Sequence, residues 1–237
     1  MQQHGVDPKV IVALDFPNAK LALDFIAPLE PTLCRLKLGK ELFTREGPAL
    51  VRALNQKGFE LFLDLKFHDI PHTVAAACRA AVDLGVWMLN VHALGGRRML
   101  EAAQQAVDGY KTHLIAVTVL TSLTEQELKE VGITRSLQNQ VVELAQLAQD
   151  VGLAGVVCSA HEAPILRQHI QSPFCLVTPG IRLTTQQEDD QRRIMTPSQA
   201  IKNGADYLVI GRPITQAKDP GAVLQAINDE AMATRLS

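Results

Sequence analysis

Along the whole chain, short apolar runs rich in β-branched residues alternate with longer stretches whose apolar positions recur at helical spacing. Runs at 10–14, 34–38, 61–67, 87–91, 114–120, 155–158, 174–177 and 207–210 predict eight strands. Asn18 caps a first helix with Leu21, Ala22, Phe25 and Ile26 on its apolar face, and Pro28 stops it. Pro48 opens a second, with Leu50, Ala53 and Leu54 inward. Helices follow over 71–84, 97–107 and 137–151, with shorter ones over 161–169 and from Pro197. Thr124 and Glu127 have capping-box spacing for a short extra helix, and Asp219-Pro220 opens the last. Gly58, Gly85, Gly109, Gly152 and Gly204 each stand shortly before a strand, where glycines that end helices belong. Eight βα units predict an α/β protein, a single (β/α)8 barrel domain over residues 1–237. A doubly wound open sheet is the weaker alternative, because no Gly-x-Gly-x-x-Gly follows the first strand. Residues 183–195 are polar and lack a period, which predicts a long surface loop.

Composition narrows the class. With 47% hydrophobic residues the chain can bury a large core, and its net charge of −2 offers no basic face for nucleic acid or a membrane surface. An anionic substrate would have to be held by local basic residues. Cys34, Cys78, Cys158 and Cys175 form no Cys-x-x-Cys pair and sit mostly in apolar runs, as reduced thiols in a cytosol do. Residues 1–9 are polar, without the apolar centre of a signal peptide, and no apolar run reaches about 18 residues. A cytoplasmic location is the expectation.

The third apolar run is the one that needs explaining. It carries Asp64 and Lys66, two residues apart and so on one face of a strand. Burying charges costs several kcal/mol unless they are paired. Asp69 follows, and Pro71 opens the next helix. Barrel enzymes carry their chemistry at the C-terminal ends of strands. The candidates there are Asp15, Lys37, Asp64, Lys66, Asp69, His92, Thr121, Ser159, Arg182 and Arg212. Gly180 and Arg182 after the seventh strand, with Gly211 and Arg212 after the eighth, fit a phosphate site; the plainer reading is a surface arginine after a turn.

Lys66 admits three readings. Flanking carboxylates favour its ammonium form, which suits a proton donor. It also suits a structural ion pair, whereas a Schiff-base lysine needs surroundings that favour the free amine. His68 and His72 flank Asp69, but a metal at a barrel mouth needs several converging ligands, and His161, Glu162 and His169 lack the spacing of a zinc helix. Neither metal nor cofactor is expected. His92 reads as a hydrogen-bonding support rather than a base.

Asp64-x-Lys66-x-x-Asp69-Ile70-Pro71-x-Thr73 resembles the signature of the orotidine 5′-phosphate decarboxylases, and the likeness runs along nearly the whole chain. Asp15 ends an Ala-Leu-Asp, Lys37 lies in Lys-Leu-Gly-Lys-Glu, and Val119-Leu120-Thr121-Ser122 follows the fifth strand. Thr178-Pro179-Gly180-Ile181-Arg182 follows the seventh, then 190–197, then Gly211-Arg212-Pro213-Ile214. The resemblance implies a cofactor-free decarboxylation of orotidine 5′-phosphate to UMP, in a homodimer. It implies that Lys66 protonates C6 of the pyrimidine, that Asp64 lies against the substrate carboxylate, and that Asp69 and Thr73 reach into the partner's site. Asp15 and Lys37 would hold ribose hydroxyls, Thr121 (with or without Ser122) the base, and Gln191, Gly211 and Arg212 the phosphate, with Arg182 anchoring the loop beside them. Three rivals share parts of the pattern: magnesium-dependent sugar-phosphate decarboxylases or aldol-type enzymes, a non-catalytic nucleotide-binding barrel, and a Schiff-base aldolase.

Overall fold

The structure, a computed structural model, describes residues 7–183 and 195–236. Eight parallel strands close on themselves in sequence order: β1 (Val10–Ala13), β2 (Arg35–Gly39), β3 (Leu61–Phe67), β4 (Met88–His92), β5 (His113–Val117), β6 (Gly155–Val157), β7 (Cys175–Thr178) and β8 (Tyr207–Ile210). Val10, Ile11 and Val12 pair with Leu208, Val209 and Ile210, which seals the barrel. The helices are α1 (Ala19–Ile26), α2 (Lys40–Gln56), α3 (Pro71–Asp83), α4 (Arg97–Val107), α5 (Glu125–Glu130), α6 (Leu137–Asp150), α7 (Ala163–His169), α8 (Pro197–Lys202), α9 (Arg212–Thr215) and α10 (Pro220–Leu236).

The period-2 pattern of each strand sorts side chains into two apolar layers. Ile11, Ala13, Phe62, Met88, Ile115, Val177 and Val209 form a small cluster inside the barrel. Their strand neighbours, among them Val10, Val12, Leu36, Leu38, Leu61, Leu63, Leu89 and Val91, join the larger cluster that the helices cover. Asn18 caps α1 by accepting the Leu21 N–H at 3.0 Å, and Thr124 and Thr196 each close a reciprocal capping box. The five glycines expected before strands all have positive φ, from 72° to 104°.

Local differences have physical causes. Leu21 is exposed rather than on the buried face of α1, because the register that buries Ala22 and Ile26 turns it outward. Helix α2 begins at Lys40 and kinks at Gly47 (φ 61°, ψ −156°), so Pro48 opens its second segment; there Leu50, Val51 and Leu54 are buried and Ala53 only partly. Strand β5 stops at Val117, short of residues 118–120.

Polar residues also enter the barrel interior, at its two ends. At the N-terminal end Arg35 lies 4.0 Å from the centre of the Trp87 ring and 5.2 Å from that of Tyr207. Its guanidinium donates to Asp7 at 2.8 Å and Glu60 at 2.7 Å. At the C-terminal end stand Lys37 and Asp64.

Candidate active site

Four side chains of alternating charge follow one another around the barrel mouth. Lys37 Nζ lies 3.5 Å from Asp15 Oδ1 and 3.4 Å from Asp64 Oδ2, and Lys66 Nζ lies 2.6 Å from Asp64 Oδ1. Asp64 is the hub. Burial alone would push its carboxyl up, but the charges of Lys37 and Lys66, with hydrogen bonds from Lys66 and Asn90, outweigh burial and hold it below the usual carboxylate range. Gly39 keeps the space open: a Cβ there would stand 3.3 Å from Lys37 Nζ.

Asp64 and Lys66 do meet, though not through the regular pleat that their spacing suggests. From the pair Leu63↔Leu89 to the pair Phe67↔Val91, β3 advances four residues while β4 advances two. The extra residues form a bulge, a device that re-aims side chains beside active sites. Lys66 sits in it with φ 53°, the one non-glycine residue at positive φ among those described. Such a conformation costs on the order of 1–3 kcal/mol and persists only where the surroundings enforce it. Asn90, fully buried on β4, faces the bulge: its Oδ1 accepts the Lys66 N–H at 2.8 Å and its Nδ2 donates to Asp64 Oδ1 at 2.7 Å. Asn90 was not among the candidates read from the sequence. The available signal was a polar residue at an interior position of an apolar strand, the same signal that marks Asp64.

Beside the array lies a cavity of about 230 Å³ lined by Asp15, Lys37, Gly180, Arg182, Gly211 and Arg212. The Arg182 main chain is fixed by its N–H bond to the Met195 carbonyl at 3.0 Å. One of its guanidinium nitrogens is buried without a hydrogen-bond partner among the described residues. A buried donor of this kind calls for an acceptor such as a phosphate oxygen.

The other candidates lie apart from this cavity. Asp69 is exposed, and its Oδ1 accepts the Ile70 N–H at 2.6 Å; among the described residues it forms no ion pair with Lys66. Thr73 is exposed near the start of α3, and Thr121 is half-buried in the turn after β5. Ser159 is buried, its N–H bonded to Glu162 at 2.9 Å. Gln191, with most of residues 183–195 where a surface loop is expected, lies outside the described residues. His92 stacks on His68 with ring centres 5.4 Å apart. Burial first, then the charges of His68, Lys40 and Lys66, push its imidazole down to about 4, and its Nδ1 accepts the Leu94 N–H at 3.4 Å. Among the described residues no group of three or more His, Cys, Asp or Glu is placed to hold a metal ion.

A closed parallel barrel with a charged mouth and a basic pocket beyond strands seven and eight defines an enzyme of the (β/α)8 class. The chain belongs to the orotidine 5′-phosphate decarboxylase / HUMPS family, which it matches over residues 8–227. It is 61% identical over 224 residues to the orotidine 5′-phosphate decarboxylase of Nitrosospira multiformis, covering 94% of each chain. It is equally identical to that of Nitrosomonas europaea, over 94% of this chain and 97% of the relative. The crystal structure of orotidine 5′-phosphate decarboxylase from Lactobacillus acidophilus superposes with a TM-score of 0.85 at 37% identity, over 95% of this chain and 99% of that one.

Proposed function

We propose that this chain decarboxylates orotidine 5′-phosphate to UMP, the last step of de novo pyrimidine nucleotide synthesis, in the cytoplasm and without metal or organic cofactor. The observation that carries the reading is the Lys37–Asp64–Lys66 array at the edge of a pocket lined by Arg182 and Arg212, in a chain of this family.

The chemistry follows from charge. Breaking the bond between C6 and the carboxylate leaves an electron pair localised in the plane of the pyrimidine ring, with no adjacent group to delocalise it. An ammonium fixed beside C6 is attracted more strongly to that developing charge than to the spread charge of the substrate. Lys66 Nζ then gives its proton to C6 as carbon dioxide departs, which leaves a neutral amine to be reprotonated by water. Asp64 holds the ammonium in place and stands against the substrate carboxylate. Asp15 and Lys37 receive the ribose hydroxyls, and Thr121 contacts the base. Gly211 and Arg212, with Gln191, take the phosphate, and Arg182 secures the chain beside it. Phosphate binding energy is thereby available to hold the ring at the array, far from the phosphate itself.

The exposed Asp69 and Thr73 complete the site of a second subunit in this reading, so the working form is a homodimer. The test is loss of orotidine 5′-phosphate absorbance with purified protein in excess EDTA. Undiminished turnover supports the reading. Activity that requires added magnesium would instead favour a sugar-phosphate enzyme of the wider family.

A further inference from the structure

Lys66 is both the proposed acid and the residue in the strained bulge, so something must hold its main chain. Asn90 is the side chain in position to do so. Its neighbours Leu89 and Val91 pair with Leu63 and Phe67, which leaves Asn90 opposite the unpaired residues between them. Its two polar ends are both used: Oδ1 takes the Lys66 N–H at 2.8 Å, and Nδ2 gives to Asp64 Oδ1 at 2.7 Å. That Asp64 oxygen is also the one that accepts from Lys66 Nζ, at 2.6 Å. One planar amide therefore closes a ring through the Lys66 main chain, the Lys66 ammonium and the Asp64 carboxylate.

We infer that Asn90 is a positioning residue for the proton donor: its amide fixes the Lys66 main chain and the Asp64 carboxylate together, and so sets where the ammonium points. Asn suits the task because it offers a donor and an acceptor from one rigid group. Asp when ionised offers only acceptors and would repel Asp64; Leu offers neither. Full burial in β4, with Leu89 and Val91 packed in the core on either side, leaves the amide little freedom. Asn90 lies behind the array and acts through Asp64 and Lys66.

The inference rests on the proposed decarboxylation, and its test has an arm that does not. In the kinetic arm, Asn90→Ala loses about 100-fold in kcat, because a misplaced donor costs rate even when the substrate binds. UMP affinity and KM stay within about 3-fold, since the phosphate pocket is elsewhere. Asn90→Asp gives a diagnostic pH profile. Its carboxyl, when protonated, again offers a donor and an acceptor, so its activity relative to wild type rises as pH falls from about 8 to about 5. A rise in kcat with the folded fraction unchanged across that range separates positioning from a merely structural role.

In the second arm, a crystal structure of Asn90→Ala shows Lys66 out of its positive-φ conformation, or its ammonium withdrawn from Asp64. An inactive wild-type protein would sink the decarboxylase reading alone, and the crystal structure would then decide the positioning role. Should Asn90→Ala not fold, Asn90→Asp decides by its pH profile. Unchanged kcat in a folded Asn90→Ala, a loss confined to KM, an unmoved Lys66, or a flat relative profile for Asn90→Asp would each overturn the inference.

Discussion

The two ends of the barrel solve the problem of a buried charge in opposite ways. At the N-terminal end Arg35 is closed in. Two aromatic rings cover its faces, Asp7 and Glu60 take its N–H groups, and its side chain is only 7% exposed. Asp7 responds to the same grouping: burial would push its carboxyl up, but Lys9 and Arg35 hold it down. At the C-terminal end the charges share partners, and Asp15 and Lys37 line the cavity. Lys66 keeps 26% of its side chain exposed and a strained main chain. A charge that only stabilises the fold can be satisfied completely. A charge that must act on a substrate has to leave some of its bonding capacity and some of its strain unspent.

Substitutions at the two ends should therefore separate activity from stability. The largest effect is expected for Asp64→Ala, which leaves the Lys37 and Lys66 ammoniums close together without their shared carboxylate. Turnover should fall by about 1,000-fold or more, and urea denaturation should show about 3 kcal/mol of lost stability. At the other end, Arg35→Leu should cost about 2–4 kcal/mol through lost packing and ion pairing. Its kcat should stay within about 3-fold, because the partners of Arg35 (Asp7, Glu60, Trp87 and Tyr207) are not those of the array. A large kcat loss for Arg35→Leu with unchanged stability would erase the distinction between the ends.

A subtler prediction concerns the proposed homodimer. Asp69→Asn and Lys66→Ala proteins, each inactive alone, should recover about one quarter of wild-type activity when mixed in equal amounts and allowed to exchange subunits. Half of the dimers are then mixed, and each mixed dimer holds one intact site. No recovery after verified exchange would remove Asp69 from the partner's site.

A last effect, on stability alone, is in pH dependence. His92 titrates near 4 in the folded protein, against 6.5 for a free imidazole. Between those values the unfolded chain binds more protons, so His92 contributes stability above pH 6.5 that is lost as pH falls toward 4. His92→Gln should flatten the stability–pH slope in that window, measured by urea denaturation. An unchanged slope would mean that the imidazole is not held neutral by its surroundings.

Much of this was legible in the sequence because the physics is local. The strand at Tyr207–Ile210 and the helix at Arg97–Val107 stand where the pattern puts them, since each is bounded by a strong apolar period and a glycine. Asp15, Lys37, Asp64 and Lys66 announced themselves as charges where apolar runs should continue or end. What was not legible depends on contacts distant in the chain. Asn90 on β4 stands opposite the bulge in β3 and bonds into it, and nothing within residues 61–67 reveals that. Asn90 itself gave only a faint signal, one neutral polar residue in a short run, and its meaning appears only when β3 and β4 are paired. Arg35 gave the same signal as Lys37, a charge inside the 34–38 run, but its meaning depends on aromatic partners at positions 87 and 207.

The most direct test of Lys66 as the proton donor is a paired measurement on Lys66→Ala: the rate of orotidine 5′-phosphate decarboxylation and the affinity for UMP. Turnover should fall by at least about 10⁴-fold, while UMP still binds measurably through Gly211 and Arg212. Near-normal decarboxylation by Lys66→Ala would contradict that role.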